Sequence, residues 1–259
     1  MTTETPRQRV LVLGGAGSIG RAIALAAAVN GASVWIADIR DAGPAVSELP
    51  GHGHHAVRAD VTDPQSVRGL IDQMWQQGGA DGIVYASGLL HTGEVADTDS
   101  GDLERVFAVN LLGAFTLGKA VAQRIRAEPR PVSIVYLSSV AGLHGEAGGA
   151  AYCATKSGLI AFVQSFAAEI AEFGCRANAV CPGNVDTPML RSLAARVADR
   201  TGTTAGQVIR QLAEATAFRR LLAPAEVASA CLWLLSPAAS AISGQAVVVD
   251  GPALLAGPA

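Results

Sequence analysis

A four-residue apolar run, Val10-Leu11-Val12-Leu13, leads without interruption into Gly14-Gly15-Ala16-Gly17-Ser18-Ile19-Gly20 and then into an Ala-rich segment. A buried strand that turns through glycines into a helix constrains the fold sharply. The glycines let backbone approach a ligand closely, and the first helical turn offers N–H donors and a partial positive charge to an anion. Two patterns overlap here. Gly15, Gly17 and Gly20 fit G-x-G-x-x-G, whereas Gly14, Gly17 and Gly20 fit G-x-x-G-x-x-G. Such a motif carries weight only between strand and helix, which is its setting here. The reading is a dinucleotide pyrophosphate held at Gly14, Gly17, Ser18, Ile19 and Gly20; the alternative is a tight turn without a ligand.

The same alternation continues along the chain. Strands are predicted at Val10–Leu13, Ser33–Asp38, Ala56–Asp60, Gly82–Ala86, Val132–Leu137, Arg176–Val180 and Ala246–Asp250. Helices are predicted at Ser18–Asn30, closed by Gly31, after Thr62 or Asp63 with Pro64 in the first turn, at Asp102–Ala127 and at Ala150–Phe173, stopped by Gly174. Further helical segments fall around Leu190–Ala213 and Ala225–Leu235. Strand and helix in turn imply right-handed crossovers and an α/β fold: about seven parallel strands, doubly wound, with helices on both faces. We expect a single domain over residues 1–259. Within it, 184–213 reads either as a mobile substrate lid or as a surface helix pair.

Composition narrows the function. Half of the 259 residues are apolar and only 16% are charged, so much of the chain must be buried in layers or subunit contacts. A net charge of −3 argues against a nucleic-acid binder. Cys153, Cys175, Cys181 and Cys231 form no C-x-x-C pair, which suggests a reduced, cytoplasmic setting. The polar stretch Met1–Gln8 has no signal-peptide core, and the apolar run Ala22–Val29 is too short to span a membrane. No membrane partner is expected.

Asp38 ends the second predicted strand, eighteen residues after Gly20. This is near the spacing of a carboxylate that accepts from the adenosine ribose hydroxyls and repels a 2′-phosphate. The glycine loop contains no Lys or Arg. NAD(H) is therefore expected over NADP(H), with Arg40 the one nearby cation able to alter that preference. Downstream, Tyr152-Cys-Ala-Thr-Lys156 sets a phenol and an ammonium one helical turn apart, on one face. A nearby cation favours the phenolate, making Tyr152 a candidate acid/base for an alcohol oxygen.

Taken together, these residues resemble the short-chain dehydrogenase/reductase family over nearly the whole chain, about Arg9 to Gly251. Tyr152 and Lys156 match its Y-x-x-x-K, and Ser139 lies thirteen residues before the tyrosine, as the family serine does. Asn110 matches its helix asparagine and Asp60-Val61 its adenine-contacting pair. Pro182-Gly183-Asn184-Val185-Asp186-Thr187 matches the loop that receives the nicotinamide, and Asp250-Gly251 the closing D-G. The resemblance implies a Rossmann fold and hydride transfer between NAD and a secondary alcohol or ketone. Tyr152 would exchange the proton and Lys156 would bind the nicotinamide ribose and lower the Tyr152 pKa. Ser139 would hold the substrate oxygen, and Asn110 would hold a relay water. Without the motif, Asn110 reads equally well as a carbonyl partner that kinks its helix, and Ser139 as a strand-end cap. Ala86, Gly88, Pro182, Gly183, Val185 and Thr187 join the expected cofactor contacts.

The chain departs from the family pattern in places. Leu13 replaces a threonine. Ser18 replaces a glycine, at a cost only if that position needs positive φ, a role Gly17 would otherwise take. Tyr85-Ala86-Ser87-Gly88 replaces N-N-A-G and loses two amide side chains. An NADPH-dependent ketoreductase and a non-catalytic dinucleotide-binding protein are the alternatives. His144, Met189 and the Leu89–Glu94 loop are candidates to line a mostly apolar substrate pocket, where His144 is as readily solvent-exposed. Arg191 and Arg196 read as a solvated helix face, His52, His54 and His55 as a solvated loop with no metal, and Cys153 as a packing residue. Family members are commonly tetramers, which implies a homotetramer, with the tail Pro252–Ala259 able to reach a neighbour.

Overall fold

The computed structural model of the chain describes residues 7–216 and 218–250. Seven strands form one sheet: β1 (Arg9–Leu13), β2 (Ser33–Asp38), β3 (His55–Arg58), β4 (Gly82–Tyr85), β5 (Ser133–Leu137), β6 (Arg176–Pro182) and β7 (Ala246–Val249). Their order is β3-β2-β1-β4-β5-β6-β7, and every pairing is parallel. The order reverses between β1 and β4, so a crevice opens at their carboxyl ends, where such sheets bind ligands.

The helices are α1 (Ser18–Val29), α2 (Gly43–Ser47), α3 (Pro64–Gln76), α4 (Ser100–Phe107), α5 (Gly113–Ala127), α6 (Ala150–Ile170), α7 (Pro188–Thr201), α8 (Ala205–Glu214) and α9 (Pro224–Leu235). Successive strand residues feed opposite layers. Leu11, Leu13, Trp35, Ile83, Tyr85, Ile134 and Tyr136 pack with α3, α5 and α6. Val10, Val12, Val34, Ile36, Val84, Val135 and Val180 pack with α1 and α9. Burial on both faces is why these strands read as unbroken apolar runs rather than alternating ones. Helices α7 and α8 pack on each other around a small core of their own, Ala194, Ala198 and Val208.

Local chemistry sets the ends. The Asp63 side chain accepts from Gln65 N–H and starts α3 ahead of Pro64. Gly31 and Gly174 stop their helices at φ +85° and +69°. Three expectations need correction. Strand β3 stops at Arg58 rather than Asp60, because the Asp60 carboxylate accepts from Thr62 N–H and Oγ and turns the chain away. The expected helix from Asp102 begins at Ser100, behind an Asp99 cap, and is interrupted by a π turn at Ala108–Leu112. The short α2 was not foreseen. The continuous helical stretch Ser100–Ala127 is long and apolar enough to cross a membrane, but its α5 half packs against α3 and α6 in the sheet's own layer.

Candidate active site

The glycine turn after β1 is a cradle without side chains. Gly14 has φ +76°, and a Cβ there would lie 2.5 Å from Ser87 N. A Cβ on Gly20 would strike the Gly14 carbonyl, so α1 can start this close to the turn only with glycine. Gly17 N–H donates to Gly14 O at 3.1 Å, and Gly17 caps α1 without any side-chain bond. The first-turn N–H groups of α1 therefore meet no capping side chain, which suits a pyrophosphate. The question raised by Ser18 is settled differently from the expectation. Gly14 takes the positive φ, Gly17 sits at φ −80°, and Ser18 is an ordinary first helical residue.

Asp38 is buried at the end of β2 and accepts four N–H bonds. They come from Ala16 N at 3.0 Å, Arg40 N at 3.0 Å, Arg40 Nε at 3.1 Å and Arg40 Nη2 at 3.2 Å. Burial raises its pKa, but the bonds from the Arg40 side chain and backbone and from Ala16 outweigh it, leaving the carboxyl below its usual range. Asp60 spends its carboxylate on Thr62, with Val61 beside it packed on the core. Ala86 N–H donates to Leu13 O, joining β4 to the glycine turn. At Gly88 a Cβ would lie 3.5 Å from Lys156 Nζ and 3.6 Å from Asn110 Oδ1.

Helix α6 delivers the acid/base pair. Tyr152 is partly exposed and Lys156 is buried, with Lys156 Nζ 5.6 Å from the Tyr152 ring centre. The ammonium donates to the Leu137 carbonyl at 2.8 Å, at the end of β5. Burial pulls its pKa down to about 8, against the opposing influence of the Cys181 sulfur. The Tyr152 phenol is pushed up to about 12. Burial is the main cause, a hydrogen bond with Ser139 opposes it, and the Glu146 carboxylate and Cys153 sulfur add to it. This corrects the expectation that Lys156 lowers the phenol in the chain by itself. Lys156 is turned toward Leu137 O, and desolvation dominates.

Ser139 is a strand-end cap that also reaches the tyrosine. Its Oγ accepts from Ala141 N–H at 3.2 Å as a cap and also meets the Tyr152 hydroxyl. Asn110 sits in the π turn, fully buried, and its side chain makes three hydrogen bonds. Oδ1 accepts from Leu89 N–H at 2.7 Å, and Nδ2 donates to Leu89 O at 2.9 Å and to Thr155 Oγ1 at 3.1 Å. The carbonyl-bonding, kinked reading is the one seen: both Nδ2 protons are taken, while Oδ1 keeps a second lone pair. Sequence reasoning missed three supporting groups: Thr155, which passes the Asn110 bond to Tyr152 O; Tyr85, whose buried phenol donates to Val109 O inside the π turn; and Ser138, which donates to Lys156 O. Tyr85 stands where the family pattern has an asparagine, which was the available signal.

After β6, Gly183 is packed so closely on Asp250 that a Cβ would overlap its carboxylate. Pro182 O accepts from Ser139 Oγ at 3.5 Å, Val185 is buried, and Thr187 caps α7. Leu89, Leu143 and Met189, each just beyond the carboxyl end of β4, β5 or β6, are 38%, 40% and 45% exposed. His144, next to Leu143, is exposed. Arg191 pairs with Asp186 and Arg196 is solvated. His54 bonds Val34 N–H and sits 3.0 Å from Pro50 O, and His55 lies against Trp35, so both serve the β2–β3 edge. Gly251 and the Pro252–Ala259 tail lie outside the described residues.

A family model described as "Enoyl-(Acyl carrier protein) reductase" matches residues 14–252. Oxidoreductase UcpA of Escherichia coli (strain K12) is 34% identical over 250 residues, 95% of this chain and 94% of that protein. The chain belongs to the short-chain dehydrogenase/reductase family. It is an oxidoreductase of that family. Cyclopentanol dehydrogenase of Comamonas sp. (strain NCIMB 9872) is 33% identical over 247 residues, 93% of this chain and 95% of that protein. Among solved structures, actinorhodin polyketide ketoreductase with NADPH superposes at a TM-score of 0.89 with 27% identity, covering 95% of this chain and 96% of that one. The family binds a nicotinamide dinucleotide, which agrees with the bare glycine cradle and the Asp38 acceptor found here.

Proposed function

We propose that this oxidoreductase interconverts a secondary alcohol and its ketone using NAD(H). The observation that carries the reading is the Tyr152 hydroxyl bonded to Ser139, one helical turn from buried Lys156, at the carboxyl end of the sheet where the strand order reverses between β1 and β4. The cradle at Gly14, Gly17, Ser18, Ile19 and Gly20 would hold the pyrophosphate, Asp38 the adenosine ribose, and Lys156 the nicotinamide ribose. When bound, the nicotinamide supplies C4 as acceptor or donor of a hydride. Tyr152 then takes the hydroxyl proton as the alcohol carbon gives up its hydride, or donates that proton to a ketone oxygen in reverse. Ser139 donates to the same oxygen and holds it at the phenol. With its pKa near 12, Tyr152 is protonated at neutral pH, which is the form that donates to a ketone. Asn110 and Thr155 fix the Leu89 loop against α6 and act as positioning residues.

The apolar rim of Leu89, Leu143 and Met189 favours an uncharged, largely hydrophobic substrate, in keeping with the cyclopentanol dehydrogenase similarity. Helices α7 and α8, with their separate small core, are proposed as the lid over it. Leu112 and Phe115 near the start of α5, with Trp233 on α9 and Val248 on β7, are exposed apolar residues suited to tetramer contacts. The Arg40–Asp38 pair and the similarity to a ketoreductase with NADPH favour the NADPH ketoreductase alternative. Ultraviolet absorbance of reduced nicotinamide, followed with NAD+ or NADP+ and a panel of secondary alcohols, tests the reading. Tyr152→Phe should retain dinucleotide binding and lose about 10²- to 10⁴-fold in kcat. Near-normal turnover in that variant, or a lower KM for NADP+ than for NAD+, would overturn the assignment concerned.

A further inference from the structure

The helical stretch Ser100–Ala127 carries a π turn, and a single hydroxyl from the sheet is bound to it. Gly113 N–H donates to Ala108 O, five residues back. It thereby passes over Val109 O, the acceptor that an α-helix would give it. The carbonyl passed over is the one that the Tyr85 hydroxyl takes. Tyr85 comes from the carboxyl end of β4, is fully buried and stands where the family pattern has an asparagine. Room for its oxygen depends on the same glycine, because a Cβ on Gly113 would lie 2.5 Å from it. A skipped carbonyl, a phenol that fills the skip and a missing side chain therefore meet at one point.

The register of this helix decides which way Asn110 faces. A π turn takes up one extra residue, so closing it to an α turn rotates one flank of the helix against the other by about 100°. In the π register Asn110 bonds Leu89 N–H, Leu89 O and Thr155 Oγ1. Thr155 Oγ1 in turn donates to Tyr152 O at 2.8 Å. Leu89 stands on the apolar rim and Tyr152 is the acid/base, so one side chain ties the two together. In the α register Gly113 N–H would reclaim Val109 O, and Asn110 would turn away from these partners. The Tyr85 hydroxyl and Gly113 N–H are thus rivals for one carbonyl.

We infer that Tyr85 is a positioning residue for the reaction: by holding Val109 O, its hydroxyl selects the π register that sets Asn110 between the Leu89 loop and the helix turn of Tyr152. The effect on turnover rests on the alcohol–ketone reading above, whereas the register is a property of the chain alone. Tyr85 acts through Asn110, not on the substrate or the dinucleotide.

Two measurements on the full chain test this. Tyr85→Phe removes one oxygen. Tyr136→Phe is the control, because Tyr136 is registered with Tyr85 across the β4–β5 pairing and its buried hydroxyl has no partner among the described residues. Amide hydrogen exchange without dinucleotide reads the register. Tyr85→Phe should quicken exchange about tenfold at Leu89 as well as across Ala108–Leu112, the scale of one lost hydrogen bond, and Tyr136→Phe should not. Gly113→Ala, which presses a methyl on the phenol oxygen, should give the same pattern with Tyr85 intact. Steady-state kinetics with a secondary alcohol read the consequence. Tyr85→Phe should lower kcat/KM about tenfold while the dissociation constant of the dinucleotide stays unchanged. In an Asn110→Ala background the same substitution should cause no further loss, since both act as one unit. Faster exchange confined to the helix with Leu89 unmoved, or two kinetic losses that multiply, would refute the register selection. A wild type that turns over no secondary alcohol refutes the functional reading instead, and the exchange pattern still decides the role of Tyr85.

Discussion

Lys156 places a stability cost at the centre of the site, and its size follows from burial. Lys156 is 4% exposed, with the Leu137 carbonyl its one hydrogen-bond acceptor among the described residues. Burial takes its pKa from 10.5 to about 8. At about 1.4 kcal/mol per pH unit, the charged form costs the fold roughly 3 kcal/mol. Lys156→Met removes that cost but also the bond to Leu137 O, worth about 1 kcal/mol. The variant should thus be more stable at pH 7 by roughly 2 kcal/mol, a rise in Tm of about 4–8 °C for a chain of this size. The pH dependence gives the argument its sign. A lysine depressed in the fold carries its full penalty below the folded pKa, where both states are protonated. Between about 8 and 10.5 the unfolded chain binds more protons, so wild-type stability climbs with pH and the penalty vanishes. The advantage of Lys156→Met should therefore shrink across that window and reverse slightly above it, while turnover is lost at every pH. Tyr152 titrates above pH 10 in both proteins and cancels in the difference. Calorimetric melts at fixed protein concentration, without dinucleotide, would show this. A variant less stable than wild type at pH 7, or an offset that ignores pH, would refute the reasoning.

Three further outcomes follow from the same geometry. The buried Tyr85 hydroxyl has the Val109 carbonyl as partner, whereas the buried Tyr136 hydroxyl has none among the described residues. Tyr85→Phe should cost about 1–3 kcal/mol and Tyr136→Phe should be neutral or stabilising, as chemical denaturation would show. Glu146 raises the Tyr152 pKa, so Glu146→Gln should move the rising limb of the kcat/KM profile for alcohol oxidation to lower pH; an unmoved limb would exclude Glu146 from the field at the phenol. Gly14→Ala, at φ +76° and 2.5 Å from Ser87 N, should lose dinucleotide binding and stability together, as binding calorimetry and a thermal melt would show.

The central strands were legible because each is buried on both faces, so its apolar run shows plainly. The acid/base residues were legible because a helix turn fixes Tyr152 and Lys156 relative to each other whatever surrounds them. What escaped the sequence depends on partners distant along the chain. The π turn exists where Asn110 reaches Leu89 and Thr155 while Tyr85 takes the Val109 carbonyl, and no local pattern encodes those four meetings. The same limit explains the Tyr152 pKa. Spacing set Lys156 near the phenol, but the depth of burial and the Leu137 carbonyl decide where the ammonium points, and neither is a property of Tyr152-Cys-Ala-Thr-Lys156. Arg40 shows the converse. Its position two residues beyond Asp38 was visible, and a cation so near an acidic ribose acceptor is ambiguous until its bonds are seen. Once both guanidinium bonds fall on Asp38, the carboxylate that argues for NAD and the cation that argues for NADP become one electrostatic unit.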